Sequence, residues 1–379
     1  MKKVMCVVMV AALVLCLFAG CSKKDTESSD TLKLGLIGPL TGDAAMYGIA
    51  TKNGAELAVN EINAKGGIQL SLNAQDDEND VEKSVNAYNN LMDWGMQVLV
   101  GTTTTQPCIA VSSMTYSDRI FELTPSASST KVTEGKDNVY QICFNDPNQG
   151  AASARYIKEH RPDAAVAVIY DNSNAYSGGI YQTFDAKAKE LGVNIVSVST
   201  CTGDTTDYSV QLADAKNAGA DLVFLPIYYT PASLILNQAS AIGYTPTFFG
   251  VDGMDGILTL EGFDTSLAEG VMLLTPFAAD STDEATVSFV KTYEATYGET
   301  PNQFAADAYD CVYAIYQAFT ATGMDVSADT ADICEAMIEQ FNTMSFSGLT
   351  GSDMVWKDGQ VDKAPFAVVI KDGVYVNAG

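Results

Sequence analysis

The chain has very few of the residues on which most enzymes and metalloproteins rely. Its 379 residues include one histidine, His160, which lies in the segment KEHRP at the end of a predicted helix. A Ser-His-Asp triad or a zinc site would depend on that single imidazole, which is remote from the predicted strand ends. GxSxG, GxxxxGKS/T, HExxH and post-strand GxGxxG motifs are also missing. We therefore predict that the protein is not an enzyme, has no catalytic residues and uses no metal or cofactor.

Positive charge is scarce as well. The chain has 21 lysines and arginines against 47 aspartates and glutamates, for a net charge of -26. Such an acidic protein is not expected to bind nucleic acid, which requires a basic surface. Arginine occurs only at Arg119, Arg155 and Arg161, too few and too dispersed for a bidentate anion-binding cluster. An anionic ligand would therefore need backbone N–H groups and hydroxyls.

Cysteines are present, but no CxxC pair occurs among the eight. Cys6, Cys16 and Cys21 belong to the N-terminal segment, residues 1–30. An odd number then remains in the body of the chain: Cys108, Cys143, Cys201, Cys311 and Cys334. No disulfide pairing can be chosen from these positions, and buried free thiols are the favoured interpretation for most of them.

After residue 20 the sequence has no apolar run long enough to cross a membrane. Residues 1–20 carry Lys2 and Lys3 before an uncharged apolar stretch that ends Leu-Phe-Ala-Gly before Cys21. This pattern predicts a lipoprotein signal peptide with Cys21 as the lipidated residue; a transmembrane anchor is the alternative, but the run is short for one. The polar residues 21–30 are predicted to tether the folded body to the membrane.

The pattern of residues 32–68 predicts a strand, a loop, a helix and a turn, and the alternation of predicted strands and helices continues along the chain. It restarts near Asp146, becomes helical after Pro276 and ends in a strand-rich segment with Asp-Gly turn signals. We predict an α/β protein with two lobes and short chain crossings near 145, 275 and 349. Lobe 1 would contain residues 31–145 and 276–348, and lobe 2 residues 146–275 and 349–379.

Several predicted strands end in loops that carry hydroxyls, aromatic rings or an acid. In open α/β sheets the carboxyl edge of the strands is where ligands bind. Helix N-termini with hydroxyls suit a carboxylate, an acid suits an ammonium, and tyrosine rings can pack on either an apolar group or a cation. The loops together complement a zwitterion, although each serine or threonine could simply cap a helix. These residues are Tyr47, Thr102–Thr105, Ser126–Ser129, Tyr176, Tyr228 and Asp252.

Several sequence segments around these loops resemble those of a known protein family. The segments KLGLIGPLTGDAAMYG, GAELAVNEINAKGGI, LVGTTTTQP, ELTPSASS, YDNSNAYSGG and DLVFLPIYYTP occur in this order. They are similar to the Leu/Ile/Val-binding protein family of amino-acid ABC importers over nearly all of residues 31–379. The resemblance implies a type I periplasmic-binding-protein fold with two Rossmann-like lobes and a three-strand hinge. It also implies a ligand between the lobes and delivery to a membrane permease.

The resemblance further implies roles for individual residues. Asp252 would bind the α-ammonium, and Thr102 and Thr103 the α-carboxylate, although which threonine of 102–105 corresponds is open. The full set of implied ligand-binding residues is Tyr47, Thr102, Thr103, Ala127, Ser128, Tyr176, Tyr228, Asp252 and Phe304. Two features depart from the family: the threonine run replaces apolar pocket residues, and the family's disulfide near the cleft has no equivalent pair.

We therefore expect an extracytoplasmic, lipid-anchored, monomeric receptor that captures an amino acid for an ABC importer. The ligand is a branched-chain or another small amino acid, and the departure at the threonine run leaves its identity open. Two alternatives remain at this stage. One is a ligand-sensing ectodomain on the same scaffold, and the other is a receptor for an amide, a urea-like molecule or another small polar solute.

Overall fold

The computed structural model describes residues 31–378 and contains two sheets with helices on both faces of each. The predicted signal peptide, Cys21 and the tether lie outside the described residues. The first sheet is parallel, with strand order β2-β1-β3-β4-β5. Its strands are β1 (Thr31–Gly38), β2 (Gln69–Asp76), β3 (Val98–Gly101), β4 (Phe121–Thr124) and β5 (Val139–Gln141).

The second sheet has the order β12-β11-β10-β9-β8-β6-β7. Its first five strands in the chain are parallel to one another, and the terminal hairpin adds two antiparallel strands at one edge. The strands are β6 (Val166–Asp171), β7 (Ile195–Cys201), β8 (Leu222–Leu225), β9 (Thr247–Gly250), β10 (Met272–Thr275), β11 (Phe366–Lys371) and β12 (Val374–Asn377).

The described part of the chain contains ten α-helices. They are α1 (Ala45–Lys65), α2 (Val81–Trp94), α3 (Thr105–Asp118), α4 (Asp146–His160), α5 (Ala175–Leu191), α6 (Ser209–Asn217), α7 (Tyr229–Ala241), α8 (Glu284–Tyr297), α9 (Gln303–Thr322) and α10 (Thr330–Phe341). Helix boundaries follow local sequence: the Asp80 side chain accepts a hydrogen bond from the N–H of Lys83 at the start of α2, and Gly95 ends this helix in the left-handed conformation. Within residues 31–378, no helix combines the length and hydropathy needed to cross a bilayer.

The first lobe is built around the first sheet. Helices α1, α9 and α10 cover one face, and α2 and α3 cover the other. Helices α1 and α9 approach closely at Gly54, where a Cβ atom would lie 2.0 Å from the carbonyl oxygen of Ala305. Glycine is therefore required at this crossing, which also fixes the start of α9 and its residue Phe304 beside α1.

One lobe boundary differs from the sequence prediction. The segment after residue 349 was assigned to lobe 2, but Met354, Trp356 and Val361 are part of the core of the first lobe. The indole N–H of Trp356 donates to the carbonyl oxygen of Gln141 on β5 at 2.9 Å. Residues 354–361 therefore pack with lobe 1, and the chain reaches the second sheet only at β11. The sequence signal was an Asp-Gly turn, which does not specify the sheet that it serves.

All five cysteines of the described chain are buried and free. They are Cys108, Cys143, Cys201, Cys311 and Cys334. This agrees with the interpretation of most of them as core residues, and burial raises the pKa of each thiol.

Candidate ligand-binding cleft

Loops from both lobes enclose a small cavity between the two sheets. The first lobe contributes the start of α1, the loop between β3 and α3, the loop after β4 and the start of α9. The second lobe contributes the starts of α5 and α7 and the turn after β9. Most of these segments follow the carboxyl ends of parallel strands, as the general rule for α/β sheets requires. The lining residues are Tyr47, Thr103, Thr104, Thr105, Ser126, Tyr176, Tyr228, Asp252, Gly253 and Phe304.

Asp252 is the charged residue of this lining, and its side chain is held in place by neutral donors. The hydroxyl of Tyr176 donates to Oδ1 at 2.6 Å, and the amide Nε2 of Gln149 donates to Oδ2 at 2.7 Å. The Tyr176 hydroxyl also accepts a hydrogen bond from the N–H of Gly253 at 2.9 Å. The carboxylate is thus fixed in direction, but none of these neighbours supplies a positive charge.

Burial determines the protonation of Asp252. The residue is 4% exposed, and desolvation raises the pKa of its carboxyl to about 7, against the lowering effect of the hydrogen bonds from Tyr176 and Gln149. A second acid, Asp146 at the start of α4, is buried nearby, and burial followed by the charge of Asp252 raises its pKa. Two buried acids without a cation favour a positively charged group in this region.

A group of aromatic rings around Tyr47 forms one wall of the cavity. The Tyr47 ring lies 5.2 Å from Tyr228, 5.0 Å from Tyr229 and 4.9 Å from Phe304, measured between centroids, and all three pairs are edge-on. The Tyr47 hydroxyl donates to the carbonyl oxygen of Gly253 and accepts from the N–H of Tyr229. Because Tyr47 belongs to the first lobe and its partners Gly253 and Tyr229 to the second, these bonds join the lobes across the cavity.

The threonine run begins helix α3, and its members have different environments. The hydroxyl of Thr103 is hydrogen-bonded within the protein: it lies 3.1 Å from the Thr51 hydroxyl and 3.3 Å from the carbonyl oxygen of Ile37. Thr104 is the N-cap residue, but its side chain makes no capping bond and its buried hydroxyl has no partner within the described protein. The first-turn N–H groups of Thr105 and Gln106 precede any intrahelical acceptor. The start of α3 therefore presents the Thr104 hydroxyl to the cavity as a polar group without a protein partner.

The structure brings six of the nine predicted site residues into the lining. They are Tyr47, Thr103, Tyr176, Tyr228, Asp252 and Phe304. Their roles in binding stay predictions.

The other three predicted residues are buried outside the lining, because their polar groups face the protein interior. The carbonyl oxygen of Thr102 accepts from the Thr124 hydroxyl, and the N–H and carbonyl of Ala127 bond Thr124 and Gln141. The carbonyl oxygen of Ser128 accepts from the N–H of Asp146.

Four lining residues and one supporting residue were not assigned individually from the sequence. Thr104, Thr105 and Ser126 belong to the hydroxyl-rich loops that the sequence pointed out, and Gly253 adjoins Asp252. Gln149 had no sequence signal, because it supports Asp252 across 103 positions of the chain. The structure also leaves both carboxylate oxygens of Asp146 and the hydroxyl of Ser128 without hydrogen-bond partners among the described residues.

No group of three or more histidine, cysteine or acidic side chains within residues 31–378 is arranged to hold a metal ion. The acidic segment 76–80 has a structural role at Asp76. Its Oδ1 accepts from the N–H groups of Leu40 and Thr41 at 2.8 and 3.3 Å. These bonds fix the loop between β1 and α1, and the same loop leads to Tyr47.

Two lobes that enclose a small polar cavity define a binding protein of the periplasmic type. A family model described as periplasmic binding protein matches residues 31–374, and the chain belongs to this family. The family model and the relatives confirm the predicted similarity to Leu/Ile/Val-binding proteins. The similarity to solved structures of such proteins confirms the predicted type I fold. The family consists of binding proteins rather than enzymes.

Individual relatives agree with this assignment. The chain is 31% identical to Leu/Ile/Val-binding protein homolog 3 of Brucella melitensis, over 59% of this chain and 61% of that protein. It is 26% identical to the leucine-, isoleucine-, valine-, threonine- and alanine-binding protein of Pseudomonas aeruginosa, over 82% and 83% of the two chains. The crystal structure of LivJ from Streptococcus pneumoniae with isoleucine is 26% identical, covers 91% of this chain and 97% of LivJ, and superposes with a TM-score of 0.82.

Proposed function

We propose that the protein is an extracytoplasmic receptor that captures a small amino acid between its lobes and delivers it to the permease of an ABC importer. One observation carries this proposal: Asp252 and the start of helix α3 line the same enclosed cavity. The two features are complementary to the two charged groups of a zwitterion. The names of the relatives support an amino acid as the ligand.

Asp252 is suited to the α-ammonium. Its carboxylate is buried and oriented by Tyr176 and Gln149, so an ammonium can approach without reorganisation of the acid. In a site without water such a charge-assisted hydrogen bond contributes roughly 1.5–3 kcal/mol. Three or four bonds of this kind are compatible with micromolar affinity, about -8 kcal/mol.

The start of α3 is suited to the α-carboxylate. The unpartnered hydroxyl of Thr104, the N-cap residue, is a donor near the positive end of the helix dipole. This binding mode needs no arginine, in agreement with the scarcity of arginine in the chain. Ser126 adds a further hydroxyl to the cavity lining.

The aromatic wall favours a ligand with a short side chain. The Tyr47 ring contacts both Tyr228 and Phe304, and all three residues line the cavity together with Asp252. An alanine- or threonine-sized side chain needs less displacement of these rings than a leucine side chain. The relative from Pseudomonas aeruginosa, whose name includes threonine and alanine, agrees with this size.

The proposal also includes anchoring of the receptor to the membrane and delivery of the amino acid to the importer. The sequence Leu-Phe-Ala-Gly before Cys21 supports lipidation of that cysteine, which would hold the monomeric receptor at the outer face of the cell membrane. Membership of the family supports the extracytoplasmic location and the partnership with an importer. A sensory role on the same scaffold would require a signalling partner instead of a permease.

The test is a thermal-shift screen of the purified protein with the twenty amino acids, followed by calorimetry of those that raise the midpoint. The best amino acid is expected to bind at least tenfold more tightly than its analogue without the amino group. The same loss is expected for the Asp252→Asn variant. Glu261→Gln serves as the matched control, because it makes the same acid-to-amide change at an exposed position that is not part of the cavity lining.

Equal affinity of the wild type and Asp252→Asn would contradict the assignment of the ammonium site. Binding of an amide or urea but of no amino acid would instead support the receptor for a small polar solute. Both outcomes require that the variant unfolds cooperatively, which the same thermal scans report.

A further inference from the structure

A second cavity, of about 480 Å³, lies between the lobes. The first lobe lines it with the start of α1, with α8 and with residues 299–303, and the second lobe with residues 255–259, β10 and the terminal hairpin. No residue lines both this cavity and the one that contains Asp252. Its volume is within the range of about 300–1,000 Å³ that is typical of small-molecule sites.

A continuous wall separates the two cavities. Tyr47 and Phe304 line the cavity of Asp252, and their sequence neighbours Met46 and Gln303 line the second one. The Tyr47 and Phe304 rings are in contact, with centroids 4.9 Å apart. Adjacent residues of α1 and of the start of α9 thus face different cavities.

The body of the second cavity is apolar. Met46 and Ala50 contribute from α1, Val290 from α8, and Leu273 and Phe277 from β10 and the residues after it. Leu273 and Phe277 are almost completely buried, at 1% and 5% exposure. Such walls favour a hydrocarbon group, with a gain of roughly 25 cal/mol for each Å² of apolar surface that is removed from water.

An acid lies in the inner part of the cavity. Asp255 is 6% exposed, and its Oδ2 accepts from the side-chain amide of Gln303 at 3.1 Å. No ion pair to Asp255 occurs within residues 31–378. A buried carboxyl with neutral neighbours gains from an ammonium partner, and desolvation raises the pKa of this group.

The outer part of the cavity is acidic and open to solvent. Asp280, Glu294 and Glu299 line it and are exposed. They form no ion pair with a lysine or arginine of the described chain. Acids at a cavity entrance raise the local concentration of cations. The exposed acids would therefore attract a cation toward Asp255.

We propose that this cavity is a second ligand site, which binds a small organic cation with a hydrocarbon body. The ammonium would pair with Asp255, and the hydrocarbon would pack between α1, α8 and β10. The proposal depends on the size of the cavity, its apolar walls and the buried acid together. It does not depend on the identity of the amino acid that binds beside Asp252.

The test is calorimetry with three probes of equal chain length: hexylamine, hexanol and hexanoate. Hexylamine is expected to bind the intact protein at least tenfold more tightly than hexanol, and hexanoate should not bind. Asp255→Asn should weaken hexylamine binding at least tenfold. Ala279→Trp, a substitution at a partly exposed lining position, should abolish it by filling the cavity. Because Ala279→Trp leaves the acid intact, it remains informative where Asp255→Asn unfolds.

Asp252→Asn separates the two sites, because it disables the amino-acid site and should leave hexylamine affinity within twofold of wild type. Glu261→Gln should have no effect on hexylamine binding. Equal affinities for hexylamine and hexanol, no binding of hexylamine, or a loss of hexylamine binding in Asp252→Asn but not in Ala279→Trp would each overturn the proposal.

Discussion

At the scale of single residues, Asp252 has opposite effects on stability and binding: its buried charge lowers the stability of the ligand-free protein but favours an ammonium ligand. Burial raises the pKa of its carboxyl from 3.8 to about 7. A raised pKa in the folded state means that the stabilising contribution is complete below about pH 4 and is lost as the pH rises through about 7. The ligand-free protein is therefore destabilised at neutral pH by the charge that an ammonium ligand would neutralise.

These opposite effects predict a pH dependence of amino-acid binding. The ammonium pairs with ionised Asp252, so below pH 7 part of the binding free energy is used to remove a proton. We expect the affinity to be constant above about pH 7.5 and to fall by up to tenfold for each pH unit below 7, about 1.4 kcal/mol per unit. Calorimetry between pH 5.5 and 8.5 measures this slope. In Asp252→Asn the residual binding should show no such slope, and a flat profile in the wild type would exclude Asp252 as the ammonium partner.

Sequence reasoning could find the residues that directly follow a strand or begin a helix. Tyr176 and Asp252 are of this kind, and both line the cavity. In the loop after β4, Ser126 lines the cavity, whereas the predicted residues Ala127 and Ser128 lie outside its lining. Loop direction there is set by the bond from the N–H of Ala127 to the Thr124 hydroxyl, a contact that residue types alone do not specify.

At the scale of elements, the start of α3 separates two threonines that look equivalent in the sequence. Thr103 uses its hydroxyl within the protein, bonding Thr51 and Ile37, whereas the hydroxyl of Thr104 has no protein partner. Gly38 on β1 makes room for Thr103, since a Cβ atom there would lie 2.3 Å from its Oγ1. Both threonines line the cavity, but only Thr104 has a hydroxyl without a protein partner.

The matched variants Thr104→Val and Thr103→Val test this division. Thr104→Val should lower amino-acid affinity about tenfold, because a donor to the carboxylate is lost, and should leave the unfolding midpoint nearly unchanged. Thr103→Val should instead lower the free energy of unfolding by about 1–3 kcal/mol, because its buried partners lose a hydrogen bond. Calorimetry and urea unfolding distinguish the two. A stability loss confined to Thr104→Val would reverse the assignment.

Elements with strong periodic patterns were predictable, and those defined by distant partners were not. The apolar runs of β1, β3, β6 and β8 predict buried strands from the sequence alone. Strand β5 was missed, because its three residues are too few for a pattern. The placement of residues 354–361 depends on contacts such as that of Trp356 with Gln141, which are more than 200 positions apart.

At the scale of the whole molecule, closure of the lobes rests on a few polar contacts across the cavity. Tyr47 bonds the carbonyl of Gly253 and the N–H of Tyr229, and the hydroxyl of Thr230 donates to the carbonyl oxygen of Asp43 at 2.8 Å. Hinged closure around a ligand is a general property of two-lobed binding proteins. Contacts made only in the closed arrangement contribute to ligand affinity, because they favour the state that holds the ligand.

Tyr47→Phe should therefore weaken both closure and binding. The ring would keep its contacts with Tyr228 and Phe304, while the two hydrogen bonds between the lobes would be lost. We expect a larger radius of gyration of the ligand-free protein in small-angle X-ray scattering, and a three- to tenfold faster release of the amino acid in stopped-flow measurements. The matched control is Tyr140→Phe, which removes a hydroxyl bonded to Asn342 within the first lobe. That variant should change neither quantity, and equal release rates for wild type and Tyr47→Phe would show that closure does not depend on the bonds of this hydroxyl.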